Sequence, residues 1–174
     1  MRLIKLLPLI ATLSLLTGCL EDLNPDSTDL RSEEDLAPKV SGDFSATTSL
    51  NDSMNLADEL LINDAIVLYF TMWCPLCDSH MSHIQNDVMG NYPNVQFYMV
   101  DYVSGNVSQS RSSQVANGFG SLQLLVDNNQ SLLNQYTATM ASVIVIDDQN
   151  QILLNEDYKN GARLMDVLDN LGTE

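Results

Sequence analysis

From Ser53 onward the apolar positions fall into short blocks whose period switches repeatedly between that of a helix and that of a strand. Ser53 to Ile62 sets Met54, Leu56 and Leu60 at helical spacing, with Asn51, Asp52 or Ser53 available as N-cap, and this predicts a first helix. Ala65 to Phe70 (AIVLYF) is an unbroken apolar run, expected of a strand buried on both faces. Pro75 to Met89 opens with proline in a first helical turn. It then repeats Leu76, His80, Ile84 and Val88 at helical intervals and stops at Gly90. Val95 to Val103 and Leu122 to Val126 read as further strands, and Ser110 to Asn117 and Ser131 to Tyr136 as short helices. Val143 to Ile146 and Gln151 to Asn155 form a hairpin around Asp147-Asp148-Gln149-Asn150, and Gly161 to Leu171 closes the chain as an amphipathic helix. Strands alternating with helices and ending in a hairpin imply an α/β domain with a central mixed β-sheet flanked by helices.

The residues before this domain follow other rules. Arg2 and Lys5 precede the apolar stretch Leu6 to Leu16, and Leu16-Thr17-Gly18-Cys19 follows, a charged, then apolar, then small-residue order that reads as a signal peptide over residues 1–18. The apolar stretch falls short of the ~20 residues that span a bilayer. Its last four residues resemble the lipobox of bacterial lipoproteins, which implies cleavage behind Gly18, lipidation of Cys19 and a membrane anchor facing the periplasm. Leu20 in place of an aspartate after the cysteine favours the outer over the inner membrane. Residues 19–43 are acidic, carry Pro25 and Pro38 and lack apolar periodicity, and so read as a solvated tether. The domain is then expected over residues 44–174.

Composition changes this picture in two respects. With 45% hydrophobic and 17% charged residues the 174-residue chain is neither disordered, collagen-like nor polytopic. With 7 Lys and Arg against 23 Asp and Glu, a formal charge of -16, it would repel nucleic acid, which is excluded as a partner.

The candidate chemistry lies at Trp73-Cys74-Pro75-Leu76-Cys77, where a buried strand runs into a helix. Cys74 then sits at the helix N-terminus, where unpaired amide hydrogens and the helix dipole stabilise a thiolate, and Cys77 lies one turn deeper. Such a pair suits a nucleophile at Cys74 and a resolving thiol at Cys77. Pro75 stiffens the turn where its missing amide hydrogen costs nothing. If Cys19 is lipidated, Cys74 and Cys77 pair only with each other or with a partner protein.

The run Val67 to Met81 (VLYFTMWCPLCDSHM) resembles the active-site region of the thioredoxin superfamily. The wider frame, from Phe44 to Leu171, resembles the TlpA/ResA-like branch of membrane-tethered extracytoplasmic thiol-disulfide oxidoreductases, related to the AhpC/TSA proteins. Trp73, Cys74, Cys77 and Met81 fall in register with its W-C-x-x-C motif, and Val143 to Asp147 with the strand before its late hairpin. The resemblance implies a thioredoxin-like fold and disulfide exchange through Cys74 and Cys77. It also implies contact with substrate at Trp73 and Pro75, protein thiol or disulfide partners, and an electron donor or acceptor protein. No cofactor is implied, since the thiols are themselves the redox group. The chain departs from that branch twice. Where it carries a cis-proline facing the cysteines, this chain has Ala141 or, by another count, Ser142, which predicts a trans loop and an altered substrate groove. Where it carries a glutamate three residues after the second cysteine, this chain has His80, an acid or base near Cys74 that as imidazolium would favour the thiolate.

The same residues admit other readings. Cys74, Cys77 and His80, with Met72 or Met81, form a possible Cu(I) or Zn set for a metallochaperone, although His83 is turned away from Cys77 by ~120° on a helix. A binding module that keeps the cysteines without turnover is the non-enzymatic alternative. Thr71-x-x-Cys74 matches part of a peroxiredoxin motif, but Val67 stands where that motif needs proline. Asp101 and Asp147 end strands and read as turn residues before they read as groups tuning the thiols.

Overall fold

A computed structural model describes residues 39–172. The signal segment expected at residues 1–18, the lipidation site Cys19 and the tether up to residue 38 lie outside the described residues. In chain order the elements are β1 (Ser45–Thr48), β2 (Ser53–Asn55), α1 (Leu56–Leu60), β3 (Ala65–Thr71), α2 (Pro75–His83), β4 (Val95–Asp101), α3 (Val107–Ala116), β5 (Leu124–Val126), α4 (Ser131–Gln135), β6 (Ser142–Asp147), β7 (Ile152–Asp157) and α5 (Ala162–Asp169). The strands make one sheet in the order β2-β1-β5-β4-β3-β6-β7. Its centre, β3, β4 and β5, is parallel, and β6, β7, β1 and β2 add antiparallel pairs at the two sides. This is the mixed α/β sheet that the patterning predicts.

Every residue of β3 is buried because both faces of the sheet are covered. Val67 and Tyr69 point into a core shared with Cys77, Met81, Ile84 and Val88 of the α2 region and Leu164 and Leu168 of α5. Ile66, Leu68 and Phe70 point the other way, against Leu56 of α1, Leu132 of α4 and Tyr136. Full burial of each such side chain contributes on the order of 2 kcal/mol. In the parallel register Thr71 lies beside Asp101, so the ends of the two central strands open onto the same edge, where α2 begins.

Several elements differ from expectation for identifiable reasons. Ser53 to Asn55 are not helical, because they pair with Ser45–Thr47 in a hairpin and the Asn55 side chain accepts the Asp58 N–H at 3.1 Å, capping a helix that starts only at Leu56. β1, which the sequence analysis does not anticipate, bridges β2 and β5. The helix expected over 75–89 is α-helical only to His83. It continues as a π turn over Ile84–Val88, in which the Met89 N–H reaches back to the Ile84 carbonyl, and then as a 3-10 turn over Met89–Asn91. α3 starts at Val107 because Asn106 caps it, its side chain accepting the Gln109 N–H at 2.9 Å. Residues 39–43, expected to be tether, pack on the domain: Ser41 is buried and hydrogen-bonded to the Tyr136 hydroxyl at 2.7 Å, and Val40 bridges to Gln151.

Candidate active site

Beyond β3 the chain turns sharply through Met72 and Trp73. Trp73 takes a left-handed backbone conformation (φ 59°), and its N–H donates to the Thr71 hydroxyl at 3.2 Å. Cys74, extended at φ -98° and ψ 160°, is the N-cap of α2, and Pro75 occupies the first turn, where no amide hydrogen is needed. The Cys74 sulfur accepts the Cys77 N–H at 3.2 Å and lies 2.7 Å from the Cys77 sulfur. Cys74 is partly exposed, whereas Cys77 is fully buried on the core side of the helix.

This asymmetry separates the two thiols chemically. Partial burial works against the Cys74 thiolate, but hydrogen bonds from the Cys77 thiol and from the backbone amides of Cys77 and Leu76 outweigh it and hold its pKa below the ordinary thiol value. Burial, reinforced by the neighbouring Cys74, pushes the Cys77 thiol up. The thiolate form is thus favoured at the partly exposed sulfur and the thiol form at the buried one.

Asp101, at the end of β4, organises the approach. It is buried, accepts the Trp73 indole N–H at 3.0 Å and takes the backbone N–H groups of Val103 and Ser104, each at 3.0 Å. The Ser104 hydroxyl also accepts the indole N–H, at 3.1 Å. The ring beside Cys74 is therefore fixed by the neighbouring strand. On the other side the loop before β6 brings the Met140 sulfur to 3.6 Å from the Cys74 sulfur. Met140, Met72 and Leu76 are exposed around Cys74, which opens onto a partly apolar surface.

No family model and no curated protein matches this sequence. Solved structures do. A thioredoxin-like protein from Aeropyrum pernix superposes with a TM-score of 0.59 at 16% identity, over 72% of this chain and 88% of that one. The fold is that of thioredoxin. A secreted disulfide oxidoreductase of Mycobacterium tuberculosis, described as homologous to DsbE of E. coli, superposes with a TM-score of 0.56 at 18% identity, over 74% of this chain and 96% of that one. The thioredoxin domain of a thiol-disulfide oxidoreductase from Bacteroides vulgatus does so with a TM-score of 0.59 at 12% identity, over 74% and 96%.

Within this thioredoxin-like domain the sequence-predicted residues have distinct fates. Trp73, Cys74, Pro75 and Cys77 meet at the mouth of α2. Ala141 is reached through trans peptides, is buried and has φ 68°. Its N–H donates to the Phe70 carbonyl at 3.0 Å and its carbonyl accepts the Tyr158 N–H at 2.8 Å, so its backbone is committed to the domain. The side chain presented to the Cys74 sulfur from this loop is Met140, which the sequence analysis does not single out. His80 is buried, with Nδ1 3.0 Å from the Tyr69 hydroxyl. Burial, with a smaller contribution from His83, lowers its pKa, so the imidazolium expected to assist the thiolate is disfavoured and the ring is neutral at pH 7. His83 Nδ1 bonds the Tyr158 hydroxyl and Met81 is buried in the core, so the histidines and Met81 are engaged elsewhere than in a metal set. Among the described residues no cluster of three His, Cys, Asp or Glu is assembled. Asp147 accepts the N–H groups of Gln149 and Gln151 and shapes the hairpin turn.

Proposed function

We propose that this protein is a thiol-disulfide oxidoreductase that exchanges disulfides with protein partners outside the cytoplasm, held at the membrane by a lipid on Cys19. The observation that carries the reading is the pairing of a partly exposed, helix-capping Cys74 of lowered pKa with a buried Cys77 of raised pKa one turn away. The relatives in fold described as disulfide oxidoreductases support it, and the Leu16-Thr17-Gly18-Cys19 pattern supports the anchor. The open surface around Cys74, with Met72, Leu76 and Met140 exposed, suits a segment of another protein as substrate.

The chemistry balances without a cofactor. The Cys74 thiolate attacks one sulfur of a substrate disulfide, forming a mixed disulfide and releasing the other sulfur as a thiolate. Cys77, once deprotonated, attacks the Cys74 sulfur and expels the remaining substrate thiolate. The substrate gains two electrons, the Cys74–Cys77 disulfide holds the oxidation, and a donor protein returns the pair to the dithiol. The resemblance to membrane-tethered reductants favours this direction.

The test is multiple-turnover reduction of a protein disulfide such as insulin, with dithiothreitol as electron source. The rate is expected to scale with enzyme concentration over many equivalents of substrate. A single stoichiometric burst, or no acceleration, contradicts the enzymatic reading and favours a non-catalytic binding module.

A further inference from the structure

Three sulfur atoms converge at the start of α2. The Cys74 Sγ lies 2.7 Å from the Cys77 Sγ and 3.6 Å from the Met140 Sδ, to which the Cys74 thiol donates. Cys74 and Cys77 are one turn apart at the helix N-terminus, whereas Met140 arrives from the loop before β6. That loop is pinned on both sides of Met140. The Thr139 N–H donates to the Ser142 hydroxyl at 2.7 Å and the Ser142 N–H to the Thr139 carbonyl at 3.2 Å, while Ala141 is tied through both of its backbone groups to Phe70 and Tyr158. The Met140 backbone is thereby held beside Cys74. Its side chain is 38% exposed and Cys74 is partly exposed, so an ion can reach these two sulfurs from solvent.

The neighbouring nitrogen and oxygen donors are engaged elsewhere. His80 Nδ1 bonds the Tyr69 hydroxyl, His83 Nδ1 bonds that of Tyr158, and the Asp101 carboxylate is taken up by Trp73 and two backbone amides. Asp78, next to Cys77, is turned ~100° away around the helix axis. Zn(II) seeks four ligands in a tetrahedron, and hard cations seek oxygen. Two thiolates and a thioether instead match Cu(I), a soft ion. With metal–sulfur bonds of about 2.3 Å, a trigonal arrangement sets its sulfurs about 4 Å apart. The spacing from Cys74 to Met140 is already close to that, and Cys74 opens from Cys77 by a side-chain rotation that its partial exposure permits. Charge fits as well. Two thiolates and Cu(I) leave a single negative charge at the N-terminus of a nine-residue helix, where the Cys77 N–H donates to the Cys74 Sγ at 3.2 Å.

We propose that reduced Cys74 and Cys77, together with Met140, bind one Cu(I) ion, so that copper and disulfide exchange compete for the same two thiols. Binding exchanges two thiol protons for the ion: two S–H bonds break, three Cu–S bonds form, both protons leave to water, and nothing is oxidised or reduced. Bound copper caps the Cys74 sulfur and keeps it from a disulfide substrate. The disulfide form has no thiolate to give the ion, so only the dithiol takes it up. The competition rests on the oxidoreductase reading; the site itself needs reduced thiols and not turnover.

The experiment titrates reduced Cys19→Ser protein with tetrakis(acetonitrile)copper(I) under argon, against bathocuproine disulfonate as a coloured competing chelator. One Cu(I) per chain is expected, with X-ray absorption showing three sulfur neighbours at about 2.3 Å. Met140→Leu should lose one of these sulfurs and hold Cu(I) about 10-fold or more weakly, whereas Met72→Leu should match the unaltered site. Cys74→Ser and Cys77→Ser should each lose one-to-one binding. One Cu(I) per two chains, two sulfur neighbours in the unaltered site, equal affinity in Met140→Leu, or a loss confined to Met72→Leu each overturns the proposal. Insulin reduction measured without copper separates the two readings. Copper binding without turnover supports the site and contradicts the oxidoreductase, and turnover without copper binding does the reverse.

Discussion

Cys74→Ser is expected to abolish disulfide turnover, lowering the insulin-reduction rate at least ~1000-fold, to the uncatalysed level. A serine hydroxyl stays protonated at neutral pH and forms no disulfide, so neither the attack nor the mixed disulfide survives the substitution. Cys77→Ser should behave differently. Cys74 remains at the N-terminus of α2 with the backbone N–H of residue 77 directed at its sulfur, so it still attacks. Without a resolving thiol the variant should accumulate covalent adducts with its substrate, visible as a reducible mass shift. Turnover that persists in Cys74→Ser would remove Cys74 from the nucleophile's role, and equal adduct formation by both variants would mean that the thiols are not differentiated. The pH dependence has a definite sign: because the Cys74 pKa is lowered from the usual 9.0, its alkylation rate should reach half of its plateau below pH 9 and fall as pH decreases through that point.

Asp101→Ala is expected to have the largest effect on stability among changes around the site. The carboxylate is buried and accepts three hydrogen bonds, from the Trp73 indole and from the backbone amides of Val103 and Ser104. Removing it leaves the Val103 and Ser104 amides without their acceptor and the indole N–H with the Ser104 hydroxyl alone, and a donor left unsatisfied away from water costs ~1–3 kcal/mol. A loss of about 3 kcal/mol in denaturant unfolding is therefore expected. Asp101→Asn keeps one acceptor oxygen and should lose less. Trp73, held then by the Ser104 hydroxyl alone, should show a red-shifted fluorescence maximum in Asp101→Ala. Unfolding curves and emission that match the unaltered protein would show that Asp101 does not hold the turn.

The parts of the domain visible in the sequence are those in which local pattern and tertiary environment agree. Ala65 to Phe70 can be buried on both faces only as a central strand, and it is. The Cys74 and Cys77 pair is legible because the strand end, the proline and the three-residue spacing all lie within one turn of chain. What the sequence hides depends on contacts between distant residues. β1 has no apolar alternation of its own and is a strand only because β2 and β5 flank it. Met140 stands 66 positions from Cys74, and nothing local marks it as the side chain at the nucleophile. Asp101 reads as an ordinary strand-end residue until the parallel register of β3 and β4 sets it beside Thr71 and within reach of Trp73. Tyr69 is concealed in the opposite way. Within an apolar run it reads as core filling, and its hydroxyl finds a partner only when α2 lays His80 over it.

The central claim is that Cys74 and Cys77 cycle between dithiol and disulfide, and a redox titration measures this most directly. The purified Cys19→Ser chain is equilibrated across thiol-disulfide buffers, trapped by alkylation and scored by intact mass, with the Cys74→Ser form as control. The account predicts a reversible two-electron transition at a potential between ~-120 and ~-270 mV, the span of known dithiol catalysts, with the reducing end favouring a donor to partner proteins. A pair that stays inert across the whole range, or that resists alkylation only while a metal ion is bound, would contradict it.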